Sequence, residues 1–149
     1  AIRDADAIIL GPGSLYTSIM PNLLISGIQK EIIKARAVKI YICNVMTEPG
    51  ETDDYSVSDH VQALIKHTRS GIVNYCIANV TRIPKDLYEK YKVEEKFPVL
   101  LDENDERWFK RERITVVKAP IASMKEFVRH DSQKLCDTIM RIISENRKR

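Results

Sequence analysis

The chain has 149 residues, 30% charged and 44% hydrophobic, with a formal net charge of +3, a mix that fits one folded domain with a sizeable core rather than a disordered chain. No apolar run approaches the ~20 residues of a membrane span, no basic leader opens the chain, and Cys43, Cys76 and Cys136 are too few and too scattered for a disulfide framework; the expected setting is the cytoplasm, without membrane insertion. The small positive surplus, part of it in Arg147, Lys148 and Arg149, does not make the basic face that a nucleic-acid partner requires.

The first informative stretch is Asp6 to Asn22, DAIILGPGSLYTSIMPN. Ala7 to Leu10 reads as a central parallel strand, closed by Gly11 and Pro12. Gly11 and Gly13 let backbone approach a ligand, and Ser14, Tyr16, Thr17 and Ser18 supply hydroxyl groups. A helix beginning near Ile19, with Ser18 as its N-cap and Pro21 in its first turn, would turn unpaired N–H groups and a positive dipole end toward the loop, as a phosphate site needs. The spacing lacks both the third glycine of a dinucleotide fingerprint and the lysine of a P-loop, so a plain strand-to-helix turn remains the alternative.

Leu23, Leu24, Ile28, Ile32 and Ile33 then recur at helical spacing. Val38 to Cys43 is the next strand, followed by a long loop, Asn44 to Ser56, in which Pro49 and Gly50 fit a type II turn. Asn44 and Thr47 suit hydrogen bonds to the base, ribose or sugar of a ligand, and Asp53 and Asp54 are the carboxylates that would suit Mg²⁺. The alternative is a solvated acidic loop. Val57, Val61, Leu64, Ile65 and Thr68 make the inner face of a second helix with Gly71 near its C-cap, and His60 and His67, two turns apart, read as flanking polar residues.

Val73 to Ala78 is a third strand, and Pro84 to Glu95 a short helix with Leu87 and Tyr91 one turn apart. Phe97 to Leu101 is a fourth strand that Pro98 confines to its first residues or to an edge. Asp102 to Arg111 reads as a helix or charged turn, and Trp108 to Arg113 as half-buried with a solvated face. Ile114 to Lys118 is the last strand. A third loop, Ala119 to Asp131, brings Arg129, His130 and Asp131 before a terminal helix capped by Asp131 with an apolar stripe of Leu135, Ile139, Ile142 and Ile143. Arg129 suits a pyrophosphate, because its guanidinium can bind oxygens as a fork. His130 beside Asp131 has the makings of a general base, but no nucleophile pairs with it in the sequence. Strands alternating with helices predict an α/β fold with a mainly parallel sheet, whose ligands gather at the strands' carboxyl ends.

Three segments in order, GPGSLYTSIMPNLL, NVMTEPGETDDYSVSDHV and VRHDSQKL, resemble the C-terminal half of the bacterial gluconeogenesis factor family, itself similar to 2-phospho-L-lactate transferase. The resemblance implies a Rossmann-like three-layer α/β/α fold that binds a nucleotide sugar, UDP-N-acetylglucosamine or UDP-glucose. It also implies a regulator that supports growth on gluconeogenic carbon sources and cell shape or wall synthesis, not a proven enzyme. A transferase using a nucleotide-linked donor and Mg²⁺ is the alternative. The family's glycine-rich GGGTG segment is not in this chain, so residues 1–149 are expected to be the C-terminal part of a single domain whose N-terminal half is absent. The RHD segment is expected at the nucleotide-sugar site, and Ser132 where a phosphorylatable hydroxyl belongs, which makes a Ser/Thr kinase an expected partner, with a homo-oligomer as another. The expected ligand-binding set is Gly11, Gly13, Ser14, Tyr16, Thr17, Asn44, Thr47 and Arg129, with no catalytic residue and no protein metal site.

Overall fold

The computed structural model describes residues 1–125 and 127–147; Lys148 and Arg149, counted above in the basic tail, lie outside them. Four parallel strands, β1 (Ala7–Leu10), β2 (Val38–Ile42), β3 (Tyr75–Asn79) and β4 (Thr115–Ala119), form one sheet in the order β1-β2-β3-β4. Helices α1 (Met20–Leu23) and α2 (Ser26–Lys34) join β1 to β2. Helix α3 (Val57–His67) joins β2 to β3, and α4 (Lys85–Val93) and α5 (Glu103–Glu112) join β3 to β4. A two-stranded antiparallel ribbon of β5 (Ala122–Ser123) and β6 (Arg129–His130) then leads into α6 (Ser132–Arg147).

β2 is buried along its whole length, and its alternation divides the core. Tyr41, with Cys43 just beyond the strand, packs toward α3 and α5 against Leu64, Ile72, Cys76 and Phe109. Val38, Ile40 and Ile42 point the other way, onto Leu135 and Ile142 of α6. Both faces are therefore covered by helices, giving the three-layer α/β arrangement expected from the sequence.

The helices start where side chains satisfy their first N–H groups. Ser56 and Asp59 form a capping box on α3, and Asp102 and Asp105 form another on α5. Asp105 also accepts hydrogen bonds from Ser56 Oγ and from Ser58 N–H, at 2.5 and 3.0 Å, and so ties the two helix starts together. Burial alone would raise the carboxyl pKa of Asp105, but these hydrogen bonds and that of Asp102 N–H hold it below the usual value. Asp131 caps α6 through Lys134 N–H at 3.1 Å, as expected.

Four local expectations are corrected. The first helix begins at Leu15, not near Ile19: a wide turn at Leu15–Ile19, in which Ser18 and Ile19 N–H both reach Ser14 O at 3.0 and 3.1 Å, runs directly into α1. The apolar series Leu23 to Ile33 is broken between α1 and α2, leaving Leu24 and Ile25 exposed. Phe97 to Leu101 forms no sheet strand, because Pro98 has no N–H to give; it crosses the second loop as a strap held by one Met46–Pro98 bridge and by Val99 N–H to Val45 O at 2.9 Å. α3 is capped by Thr68, and Gly71 sits three residues on at φ +88°.

Cys43 and Cys76 are buried between the sheet and its helices, whereas Cys136 is exposed on α6. In native conditions a thiol reagent such as DTNB should therefore titrate Cys136 rapidly and the other two only as the chain unfolds. Fast labelling of Cys43 or Cys76, read by mass spectrometry of peptides, would contradict this packing.

Candidate functional site

The first loop turns back on the sheet at Gly11. Its φ is +98°, and a β-carbon there would lie 3.2 Å from the carbonyl oxygen of Ile42 and 3.3 Å from Ile19 Cδ1. Only glycine allows the chain to pass so close to the end of β2. A β-carbon on Gly13 would come 3.2 Å from Ser18 Cβ. The wide helical turn then leaves its first N–H groups without intrahelical partners beside Gly13 and Ser14.

Beyond the carboxyl ends of β1 and β2 these residues open a cleft of about 380 Å³, lined by Pro12, Gly13, Ser14, Asn44, Val45, Met46, Glu48, Val128, Arg129 and His130. All three loops singled out in the sequence meet in it. The third arrives through the β5–β6 ribbon, which is closed by its own hydrogen bonds and tied to the rest of the protein at two points. Val128 N–H donates to Tyr91 Oη at 2.9 Å, Asp131 N–H to Ile121 O at 2.7 Å, and His130 Nε2 lies 3.2 Å from Cys43 O. A carbonyl can only accept, so Nε2 carries the proton and Nδ1 of the neutral ring keeps its lone pair. Burial holds the His130 pKa below its usual 6.5 despite this hydrogen bond, so the ring is neutral at pH 7.

Of the expected ligand-binding residues, Gly13, Ser14, Asn44 and Arg129 line the cleft. Gly11 shapes it from behind. Tyr16 turns away, its hydroxyl 2.8 Å from that of Tyr55 and its ring edge-on to His67; burial, then the Tyr55 contact, pushes its pKa up to about 12. Thr17 is exposed outside the cleft. Thr47 lies buried beneath it, with its Oγ1 accepting from Phe97 N–H at 2.9 Å and its own N–H donating to Phe97 O at 2.7 Å. Ser132 is exposed in the first turn of α6, three residues after Arg129.

The carboxylate in the cleft is Glu48 rather than Asp53 or Asp54; Asp53 Oδ2 is spent on Gly50 N–H at 2.8 Å. One carboxylate together with a ligand's phosphates is a set that Mg²⁺ accepts, and Glu48 is the residue that would supply it. The Pro49–Gly50 turn is as expected, with Gly50 at φ +77° and Glu51 N–H bonded to Glu48 O at 3.0 Å. His60 is not a flanking polar residue: it is fully buried, donates Nδ1–H to Ser56 O at 2.8 Å, and stands beside Cys43. The sequence signal for that was available, since His60 stands one turn from both Val57 and Leu64 on the buried side of α3.

A family model described as 2-phospho-L-lactate transferase CofD matches residues 1–122. The chain belongs to this family. It is 43% identical over 145 residues to the gluconeogenesis factor of Bacillus subtilis strain 168, covering 97% of this chain and 45% of that one. The gluconeogenesis factor of Halalkalibacterium halodurans is 41% identical over 141 residues, covering 94% and 43% respectively. A crystal structure of a UPF0052 family member from Bacillus halodurans superposes with a TM-score of 0.87 at 40% identity, over 93% of this chain and 44% of that one. The chain thus spans less than half the length of the relatives it matches, and Arg129 and His130 follow the family-matched range.

Two outcomes test this family member's site geometry. Gly11→Ala should destabilise the fold by ~1–3 kcal/mol, the scale of a strained positive φ, because the Ile42 carbonyl it would strike belongs to a buried strand; chemical denaturation measures it, and an unchanged midpoint would show that the loop has another path. A histidine whose folded pKa is depressed lends stability above its unfolded pKa that is lost as pH falls, since the unfolded chain then binds the extra proton. Accordingly, the His130 imidazole followed by NMR should titrate below 6.5, and His130→Gln should flatten the loss of stability between pH 7 and pH 5.

Proposed function

We propose that this chain supplies the phosphate-holding part of a nucleotide-sugar site, for UDP-N-acetylglucosamine or UDP-glucose, in a regulator of the gluconeogenesis factor type. The observation that carries the reading is the convergence of Gly13, Ser14 and Asn44 from two strand ends with Arg129 from the ribbon on one cleft. Gly13 offers close backbone approach, the helical turn unpaired N–H groups, and Arg129 a guanidinium fork for the pyrophosphate. Such a site needs no turnover. Growth on gluconeogenic carbon, cell shape and wall synthesis, and a cytoplasmic setting belong to the same reading, as does self-association. A Ser/Thr kinase acting on Ser132 would place a phosphate three residues from Arg129, where it would compete for the same cation.

A second reading, transfer of a phosphorus-containing group from a nucleotide-linked donor, draws on Glu48 and His130. Both line the cleft, and His130 is neutral at pH 7 with Nδ1 able to accept a proton. Mg²⁺, when bound, would neutralise phosphate charge with Glu48 as its protein ligand. His130 would hold or take a proton beside it.

The deciding experiment is calorimetric titration of the intact protein with UDP-N-acetylglucosamine and UDP-glucose, followed by product analysis after long incubation. Binding with the nucleotide sugar recovered unchanged is expected; free UDP or a transferred group at catalytic rates would replace the first reading by the second. Arg129→Ala should weaken binding by ~1.5–3 kcal/mol with little change in melting temperature, and Arg129→Lys should restore only part of it. Wild-type affinity in Arg129→Ala would remove the third loop from the site.

A further inference from the structure

A second hollow, of about 490 Å³, lies beside the cleft over the carboxyl ends of β3 and β4, between α4 and the strap of residues 97–101. Val45 lines both spaces, so the two adjoin along the strand ends. Their walls differ. The cleft offers glycine backbone, hydroxyl, amide and guanidinium groups. The groove is walled by Val80, Tyr88, Pro98 and Leu100, and Val80 and Leu100 are 50% and 68% exposed. The Tyr88 ring is braced by Phe97, edge-on at 6.5 Å between centroids. Asn79, Thr81, Arg82 and Lys118 are the polar part of the lining, with the Asn79 side chain engaged by the Thr81 backbone O and N–H at 3.1 Å each.

We infer that this groove receives the flat aromatic base of the nucleotide whose phosphates occupy the cleft. The inference rests on the nucleotide-sugar reading and assigns its orientation: phosphates over β1 and β2, base over β3 and β4. The two ends of a nucleotide sugar make opposite demands. A hexose carries hydroxyl groups around its ring and needs polar partners on every side, whereas one wall of this groove, Val80, Pro98 and Leu100, offers none. A base has two apolar faces and a polar edge, which match the apolar wall, the Tyr88 ring and the polar side chains of Arg82 and Lys118. The distance also fits, because β1 and the β3–β4 ends stand two to three strand spacings apart, roughly 10–14 Å. Of the two cations along the groove, Lys118 is paired with Glu106 and Arg82 is exposed.

The test separates base from phosphate. The intact protein and its Val80→Asp, Leu100→Asp and Arg129→Ala variants are titrated with UDP-N-acetylglucosamine and with inorganic pyrophosphate. Val80 and Leu100 are exposed enough that aspartate should be tolerated in the fold, which melting temperatures would verify. The expected result is that each groove variant, which sets a carboxylate against the apolar face of the base, binds the nucleotide sugar about tenfold more weakly or worse, while its pyrophosphate affinity stays within about twofold. Arg129→Ala should weaken both ligands. Unchanged nucleotide-sugar affinity in both groove variants would overturn the inference and leave the cleft standing. Equal losses for pyrophosphate would also overturn it, since the groove would then act on the cleft rather than on the base. A wild-type protein that binds pyrophosphate but neither UDP-sugar removes the nucleotide-sugar reading itself.

Discussion

Three separate segments lean on two residues at the end of β2. The carbonyl of Ile42 sets how near Gly11 must pass, Cys43 N–H donates to Ile77 O of β3 at 3.0 Å, and Cys43 O receives the His130 imidazole at 3.2 Å. β2 itself is buried on both faces, so its end cannot shift without disturbing helices on either side of the sheet. The position of the first loop, the continuity of the sheet and the docking of the ribbon are thereby fixed from one place. The cleft is the space these three attachments leave open. The chemistry is modest at each point, since each hydrogen bond nets about 1 kcal/mol, but the burial behind it makes an unmade bond costly.

The strap of residues 97–101 shows how a poor strand can still organise a site. Pro98 prevents a full ladder, yet Thr47 bonds Phe97 twice, Val99 N–H reaches Val45 O, and Val57 N–H reaches Leu100 O at 3.0 Å. Thr47, expected to face a ligand, is used instead to hold this strap over the second loop. That trade has a purpose in the geometry. It leaves Pro98 and Leu100 as one wall of the groove, and it keeps Val45 at the junction between groove and cleft.

Much of the architecture was legible because it follows from local pattern. β1 lies within Ala7 and Leu10 as read, Asp131 caps the terminal helix, and the alternation of strands and helices gave the parallel sheet. What misled was side-chain direction and the cost of burying particular groups. Tyr16 sits in the glycine-rich loop by sequence, yet the early start of the helical turn at Leu15 rotates it toward Tyr55 and α3. His60 looks polar by residue type, but its ring spends one nitrogen on the preceding turn and packs edge-on against Tyr55 at 5.4 Å, which makes its burial affordable. Glu48 was passed over in favour of Asp53 and Asp54 because loop composition does not reveal which carboxylate is consumed by its own turn.

The cleft combines two kinds of support, and the difference bears on how it would discriminate ligands. Its floor is backbone, fixed by Gly11 against β2 and by Gly13 against Ser18. Its cation is different. Arg129 projects from a two-residue strand, exposed, with its guanidinium 5.6 Å from the centre of the Phe127 ring, and Lys90 of α4 stands 4.8 Å from the same ring. An aromatic ring shared by two cations steadies each of them without neutralising either. The ribbon carrying Arg129 is tied to the core at Cys43 and to α4 at Tyr91, so a change in the α4 packing would move Arg129 while leaving the glycine loop in place. The glycine loop is thus held by the sheet end, whereas the placement of Arg129 is set by the ribbon and by what the ribbon is tied to.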